Sequence, residues 1–190
     1  MTREFVNLEG NKEMLKEAYI GLGTNLGNRE ENLKKAIENI ITSVGEVISF
    51  SGIYVTEPWG FRSEDNFLNM VILINTRLKA VDLLKQLLKI EMQMGRVRET
   101  KKYTSRVIDI DILLYENEII NKPYLKIPHP MIQERKFVLV PLCDIAPEMI
   151  HPVLKQTFAA LLEECKDENI VKRINPLSFS PKGGKKSSKS

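Results

Sequence analysis

The chain has 190 residues, of which 43% are hydrophobic and 28% charged, with a formal net charge of +3. These values fit one soluble globular domain, and the nearly neutral charge says little by itself. No apolar run is long enough to cross a bilayer, residues 1–17 lack the apolar centre of a secretory leader, and Cys143 and Cys165 are too few and too far apart for a disulfide scaffold or a zinc site. A reducing, cytoplasmic setting is therefore expected. Charge is unevenly placed. Segment 96–106, RVRETKKYTSR, carries five basic residues and one acid, and 182–190, KGGKKSSKS, carries four lysines and no acid, which leaves the rest of the chain net negative.

In chain order, EAYIGLGT (17–24) reads as a first strand. A turn with Gly27 and Asn28 follows, and Asn28 with Glu31 three residues later resembles a capping box. Leu33, Ile37, Ile40 and Ile41 then recur at helical spacing. The β-branched and aromatic run 45–56 predicts a second strand, 57–66 a loop rich in breakers, and 67–77 a third strand. Residues 80–94 predict an amphipathic helix with Val81, Leu84, Leu87, Leu88 and Glu91 on one stripe, stopped by Gly95. A basic loop, 96–106, leads into a fourth strand, VIDIDILLY (107–115). The order βαββαβ predicts an α+β, ferredoxin-like core: a mainly antiparallel sheet with right-handed crossovers and both helices on one face. A short hairpin at 118–128 and helical pieces at 132–145 and 154–166 are C-terminal additions. The expected organisation is one domain over 18–170, an N-terminal extension 1–17, and a disordered basic tail 171–190.

The fourth strand poses the chemical question, because ionised carboxylates are costly to bury. Residues two apart on a strand share a face, about 6.6–6.8 Å apart. Asp109 and Asp111 therefore point together, while Ile108, Ile110 and Ile112 fill the other side. Two hard carboxylates so placed suit one or two Mg²⁺ ions whose remaining positions go to water and phosphate oxygens. Arg96, Arg98 and Arg106, just upstream, match phosphate oxygens with planar donors. Cations beside a diacid make sense for a metal–polyphosphate complex, so a nucleoside triphosphate is the natural ligand. There is no G-x-x-x-x-G-K-[ST], and the glycine spacing of GLGTNLG (21–27) does not fit a dinucleotide fingerprint, so that segment reads as a tight turn and helix cap.

A second cluster is aromatic. Trp59 and Phe61 lie in the loop before the third strand, Phe67 opens that strand, and Asn69 shares its face. Rings with an amide suit a flat heterocycle, stacked on its faces and read at its edge. In IPHPMIQERKFVLVPLCDIAPE (127–148), His129 stands between two prolines and Arg135 and Phe137 follow. His129 and Arg135 suit a nucleotide, and Phe137 suits closure of the ring slot.

Taken together, YVTEPWG, FLN, GRVR, SRVIDIDILLY and IPHPMIQERKFVLVPL…IAPE resemble, over roughly residues 18–166, the 6-hydroxymethyl-7,8-dihydropterin pyrophosphokinases of folate biosynthesis. The resemblance implies a ferredoxin-like fold and transfer of pyrophosphate from MgATP to the pterin hydroxymethyl oxygen, with release of AMP. It assigns two Mg²⁺ to Asp109 and Asp111, with Asp109 also near the pterin hydroxyl. Arg96 and Arg106 match loop arginines that meet the phosphates. Glu91, Arg98, Ile112, His129 and Arg135 match the ATP site. Thr56, Pro58, Trp59, Phe67, Asn69, Tyr103 and Phe137 match the pterin site. Some members have Trp where this chain has Tyr103, and Gly-Pro where it has Thr104-Ser105. The implied partners are ATP and the pterin, with no nucleic acid, membrane or obligatory protein partner.

Two rivals belong to other classes. The same element order occurs in RNA-binding modules, but those need exposed aromatics on the central strands. Here AYIGLG offers one tyrosine, and VIDIDIL would set carboxylates against phosphates. A non-catalytic ligand-binding domain is the other alternative. The product formed from ATP, Mg²⁺ and reduced pterin separates all three.

Overall fold

The computed structural model describes residues 14–58, 65–96 and 105–174. The alternation and helical spacing of the sequence resolve into β1 (Lys16–Thr24), α1 (Arg29–Ser43), β2 (Gly45–Phe50), β3 (Ile53–Thr56), β4 (Phe67–Thr76), α2 (Ala80–Gln93) and β5 (Asp109–Tyr115). A small hairpin of β6 (Ile120–Lys122) and β7 (Leu125–Ile127) follows. A 3-10 turn over Ile132–Glu134, α3 (Lys136–Ile145), α4 (Phe158–Glu164) and β8 (Val171–Ile174) complete the described chain. The main sheet runs β5-β1-β4-β3-β8, with β2 also paired to β4, and every pairing in it is antiparallel. The first four strand positions have the ferredoxin-like order.

β1 and β4 lie at the centre because both alternate cleanly. Ala18, Ile20 and Leu22 with Met70, Ile72 and Ile74 face one layer, where Leu33, Ala36, Ile37 and Ile40 of α1 and Leu83, Leu87 and Ile90 of α2 pack on them. The Asn28 side chain caps α1, accepting the Glu31 N–H at 3.2 Å. The opposite sheet face is not left open throughout. Tyr19, Val71, Leu113 and Leu114 form a second core with Val138, Leu139 and Leu142 of α3 and Phe158 and Leu161 of α4. Leu113 and its neighbour Leu114 both reach that side because β5 carries a bulge there: Tyr19 pairs with Leu114 and Ile20 with Ile112.

Four expectations are corrected. The run 45–56 is two strands. At Ser51 the backbone N–H still bonds to the Val71 carbonyl, but the Ser51 hydroxyl accepts the Val71 N–H in place of a carbonyl, both at 2.9 Å, and Ser51 and Gly52 fall between the two strands. Ile41 is 46% exposed, on the flank of α1 rather than its buried stripe. The buried stripe of α2 is Ala80, Leu83, Leu87, Ile90 and Glu91, with Val81 and Leu84 half-buried at its edge. Residues 171–174, assigned by sequence to the tail, form β8 and pair with β3, because an edge strand offers an open row of backbone donors and acceptors.

Candidate active site

Two rows of residues cross the sheet. Asp109 pairs with Gly23 and Gly23 with Asn69; Asp111 pairs with Gly21 and Gly21 with Val71. Directly opposed residues share a face, so both carboxylates look out beside glycines that project nothing. Leu113 leans over Gly21, 3.3 Å from where a Cβ would stand, while the space above Gly23 is bounded by Asn69, Asp109 and Phe67. The result is a cleft of about 760 Å³, counted out to open solvent. Asn69 holds its amide to the Thr56 hydroxyl at 2.7 Å. The far wall is His129, Arg135 and Phe137, with the Arg135 guanidinium 5.7 Å from the Phe137 ring centre.

The acids meet arginines on the helix side of the cleft. Gly95, at φ +88°, closes α2 with paired bonds from Gly95 N–H to the Met92 carbonyl and from Arg96 N–H to the Glu91 carbonyl, each 3.0 Å. That turn brings Arg96 back over its own helix, where its guanidinium binds Glu91 and Asp109 together. Arg106 takes the other Asp109 oxygen and lies 6.0 Å from the Phe67 ring centre. Glu91 is 2% exposed and also accepts the Ile110 N–H at 2.8 Å, so it fixes the strand between the two aspartates. Burial, and then the negative charges of Asp109 and Glu91, push the Asp111 carboxyl up to about 7, against the pull of Arg135 and Arg96. Burial and the Arg135 charge hold His129 down at about 4, so its ring is neutral at physiological pH, and Nδ1 accepts the Met131 N–H at 3.3 Å.

Nine of the sequence-predicted residues line this one cleft: Thr56, Phe67, Asn69, Arg106, Asp109, Asp111, His129, Arg135 and Phe137. Arg96 and Glu91 stand behind it: Arg96 is ion-paired to Asp109 and to Glu91. Ile112 does not line it: its side chain is 5% exposed in the helix-covered core, on the face opposite the aspartates, as alternation requires. Pro58 is also not part of the lining. Trp59, Phe61, Arg98 and Tyr103 lie outside the described residues.

Asn25 was missed. It is 1% exposed, and it grips the end of the basic segment: its N–H donates to the Arg106 carbonyl at 3.1 Å, its Oδ1 accepts the Arg106 N–H at 2.7 Å, and its Nδ2 donates to Ser105 at 3.0 Å. Thr24 donates its hydroxyl to the Val107 carbonyl at 2.5 Å. The sequence signal is the Thr24-Asn25 pair directly after an apolar strand, inside the segment that reads as a tight turn and helix cap.

Among the described residues no group of three or more His, Cys, Asp and Glu is arranged to hold a metal. Asp109 and Asp111 thus offer two hard oxygen ligands and no cage, which fits an ion that keeps most positions for water and phosphate and does not fit structural zinc. Among the same residues no helix is long and apolar enough to cross a membrane.

Residues 19–147 match the family described as 7,8-dihydro-6-hydroxymethylpterin-pyrophosphokinase (HPPK). The chain is 41% identical over 154 residues to the 2-amino-4-hydroxy-6-hydroxymethyldihydropteridine pyrophosphokinase of Aquifex aeolicus, covering 81% of this chain and 92% of that one. It is 43% identical over 134 residues to the protein of the same name from Methylorubrum extorquens, covering 70% and 84%. Its fold is similar to the crystal structure of Plasmodium falciparum HPPK-DHPS, with a TM-score of 0.64 at 17% identity, over 79% of this chain and 43% of that longer one. With the diacid strand, the paired arginines and the glycine-floored cleft inside the matched span, the chain belongs to the 7,8-dihydro-6-hydroxymethylpterin-pyrophosphokinase family.

Proposed function

We propose that this chain transfers a pyrophosphoryl group from ATP to the hydroxymethyl oxygen of 6-hydroxymethyl-7,8-dihydropterin, giving the pterin diphosphate and AMP in tetrahydrofolate synthesis. One observation carries the reading: Asp109 and Asp111 face a cleft that also receives Arg106, His129 and Arg135 and whose floor is opened by Gly23. The reading sets the pterin ring against Phe67 and Phe137, with its edge at Asn69 and Thr56. The triphosphate lies toward His129, Arg135 and the two loop arginines. Cytoplasmic operation, with Cys143 and Cys165 as free thiols, belongs to the same reading.

The acceptor oxygen forms a bond to the β-phosphorus, the bond from that phosphorus to the oxygen bridging the α-phosphorus breaks, AMP departs, and the hydroxyl proton is released. Asp109 and Asp111 are the residues that would hold two Mg²⁺ ions. Such ions would supply positive charge against the phosphates and make the acceptor hydroxyl more acidic. Arg96 and Arg106 offset charge on the transferring group, and Asn25 holds Arg106 by its backbone while they do so. With Nδ1 accepting the Met131 N–H, a neutral His129 presents Nε2–H as a donor, without adding charge beside Arg135.

The test is product analysis with ATP, Mg²⁺ and the reduced pterin. AMP and the pterin diphosphate are expected, and ADP or no product would exclude the reading. Asp111→Ala should abolish AMP formation while circular dichroism and the thermal transition show an intact fold. Near-parental AMP formation by that variant would remove Asp111 from the chemistry.

A further inference from the structure

The first turn of an α-helix has N–H groups that its own ladder cannot satisfy. α3 starts at Lys136, between the cleft residues Arg135 and Phe137, and Arg135 at its N-cap position provides no side-chain cap. The acceptor comes from the C-terminal segment: Asp167 Oδ2 receives the Lys136 N–H at 3.0 Å. Its other oxygen accepts the backbone N–H and the side-chain amide of Asn169, at 3.1 and 2.7 Å, so the carboxylate is held in place from behind. β8 begins four residues on and pairs with β3, Val171 opposite the cleft residue Thr56. Arg173 lies so close over Gly52 that a Cβ there would stand 2.6 Å from its Nε. The other end of α3 is tied to the same strand region, since Asp144 Oδ2 accepts the Gly52 N–H and the Tyr54 hydroxyl, each at 2.8 Å. Segment 167–174 thus bridges the two walls of the cleft, and it lies beyond the residues 19–147 that match the family.

We propose that Asp167 is a positioning residue for the active cleft: by capping the first turn of α3 it sets where Arg135 and Phe137 stand, and with them the affinity for ATP and pterin. The proposal rests on the functional reading above. Alanine at this position removes the acceptor but leaves Val138, Leu139 and Leu142 buried on the apolar face of α3, so the helix stays docked.

The experiment compares steady-state kinetics and thermal unfolding of the parent, Asp167→Ala, Asp167→Asn and Thr157→Ala. Thr157 caps α4 through the Ala160 N–H, at 3.2 Å, and no residue of α4 lines the cleft, so its variant reports the effect of losing a helix cap alone. Asp167→Ala should raise KM for ATP and for the pterin roughly five- to tenfold, the usual weight of one cap contact, with kcat changed less than about twofold. Asp167→Asn keeps one oxygen for Lys136 but turns its NH2 toward the Asn169 donors, so it should recover part of that loss. Thr157→Ala should lower the midpoint of unfolding and leave both KM values alone. KM values for Asp167→Ala within about twofold of the parent, or an equal rise in Thr157→Ala, would overturn the proposal. If the parent forms no AMP, the functional reading fails by itself, and calorimetric titration with ATP then decides on Asp167. Weakened ATP binding confined to Asp167→Ala supports the positioning role, and equal affinities across the set remove it.

Discussion

At Gly23 a single missing methyl group shapes the cleft. An added Cβ would stand 3.0 Å from Asn69 Oδ1 and 4.0 Å from both Asp109 Cβ and Phe67 Cδ1. Gly23→Ala should therefore leave β1 intact, because its backbone is ordinary strand, yet push the Asn69 amide off Thr56 and fill the space where a flat ring would lie. Filling the space where the ring lies predicts pterin binding weakened by roughly tenfold or more, while the crowding against Asn69 costs folding stability, at most about 1–3 kcal/mol, and lowers the thermal midpoint accordingly. Calorimetry with the pterin alone reads this, and unchanged affinity would mean the ring lies elsewhere. The shared face of Asp109 and Asp111 is legible in the sequence; that Gly21 and Gly23 open the floor between the strands is not, because GLGTNLG reads as a tight turn and helix cap and the glycines gain their role only from pairing β1 with β5. Asn25 was not, because its value lies in hydrogen bonds to residues eighty positions away, and local pattern carries no information about such pairing. Glu91 shows the intermediate case: its place on the stripe of α2 was visible, but not that it braces Ile110 and Arg96 from behind the cleft.

Among the elements, those with a sustained period were readable and those defined by long-range pairing were not. α1, α2, β1, β4 and β5 follow from alternation and helical spacing. The break between β2 and β3 depends on one hydroxyl taking over a ladder bond, and β8 exists only because β3 has an edge to offer. The connection between α3 and α4 is a further case, held by a histidine that no motif marked. His151 is 4% exposed, and its Nδ1 accepts the Val153 and Leu154 N–H groups at 3.2 and 3.1 Å. Its ring meets Phe158 edge-on, with centres 5.8 Å apart. Burial lowers its pKa below the ordinary histidine value. Because the folded value is the depressed one, this group's stabilisation is complete above the unfolded pKa, about 6.5, and is lost as pH falls below it, where the unfolded chain binds the proton more readily. Urea unfolding at pH 7.5 and 5.5 should show a loss of stability on acidification that is smaller in His151→Gln. An identical pH response in parent and variant would show that His151 does not contribute to it.

For the whole molecule, a net charge of +3 says little, but the pairing of charges inside it predicts how ligands bind. α3 and α4 cover the sheet face around Tyr19, Val71 and Leu113 and stop short of Asp109 and Asp111, which leaves open the cleft where those acids meet Arg106 and Arg135. In this structure Arg96 and Arg106 already neutralise Asp109. Triphosphate oxygens compete for those guanidiniums, and a carboxylate that loses its arginine needs another cation beside it. ATP and Mg²⁺ should therefore bind as a linked pair, each strengthening the other, as reciprocal coupling demands. A ligand at a hundred times its Kd stabilises the folded state by about 2.7 kcal/mol. For a chain of this size that is a rise of roughly 5–10 °C in thermal midpoint. The expected pattern is that rise with ATP and Mg²⁺ together, a much smaller one with either alone, reversal by EDTA, and no excess over additivity in Asp109→Ala or Asp111→Ala. An ATP-induced shift that is the same with Mg²⁺ and with EDTA would place the nucleotide away from the diacid, and the exchange of arginine for metal at Asp109 would fail with it.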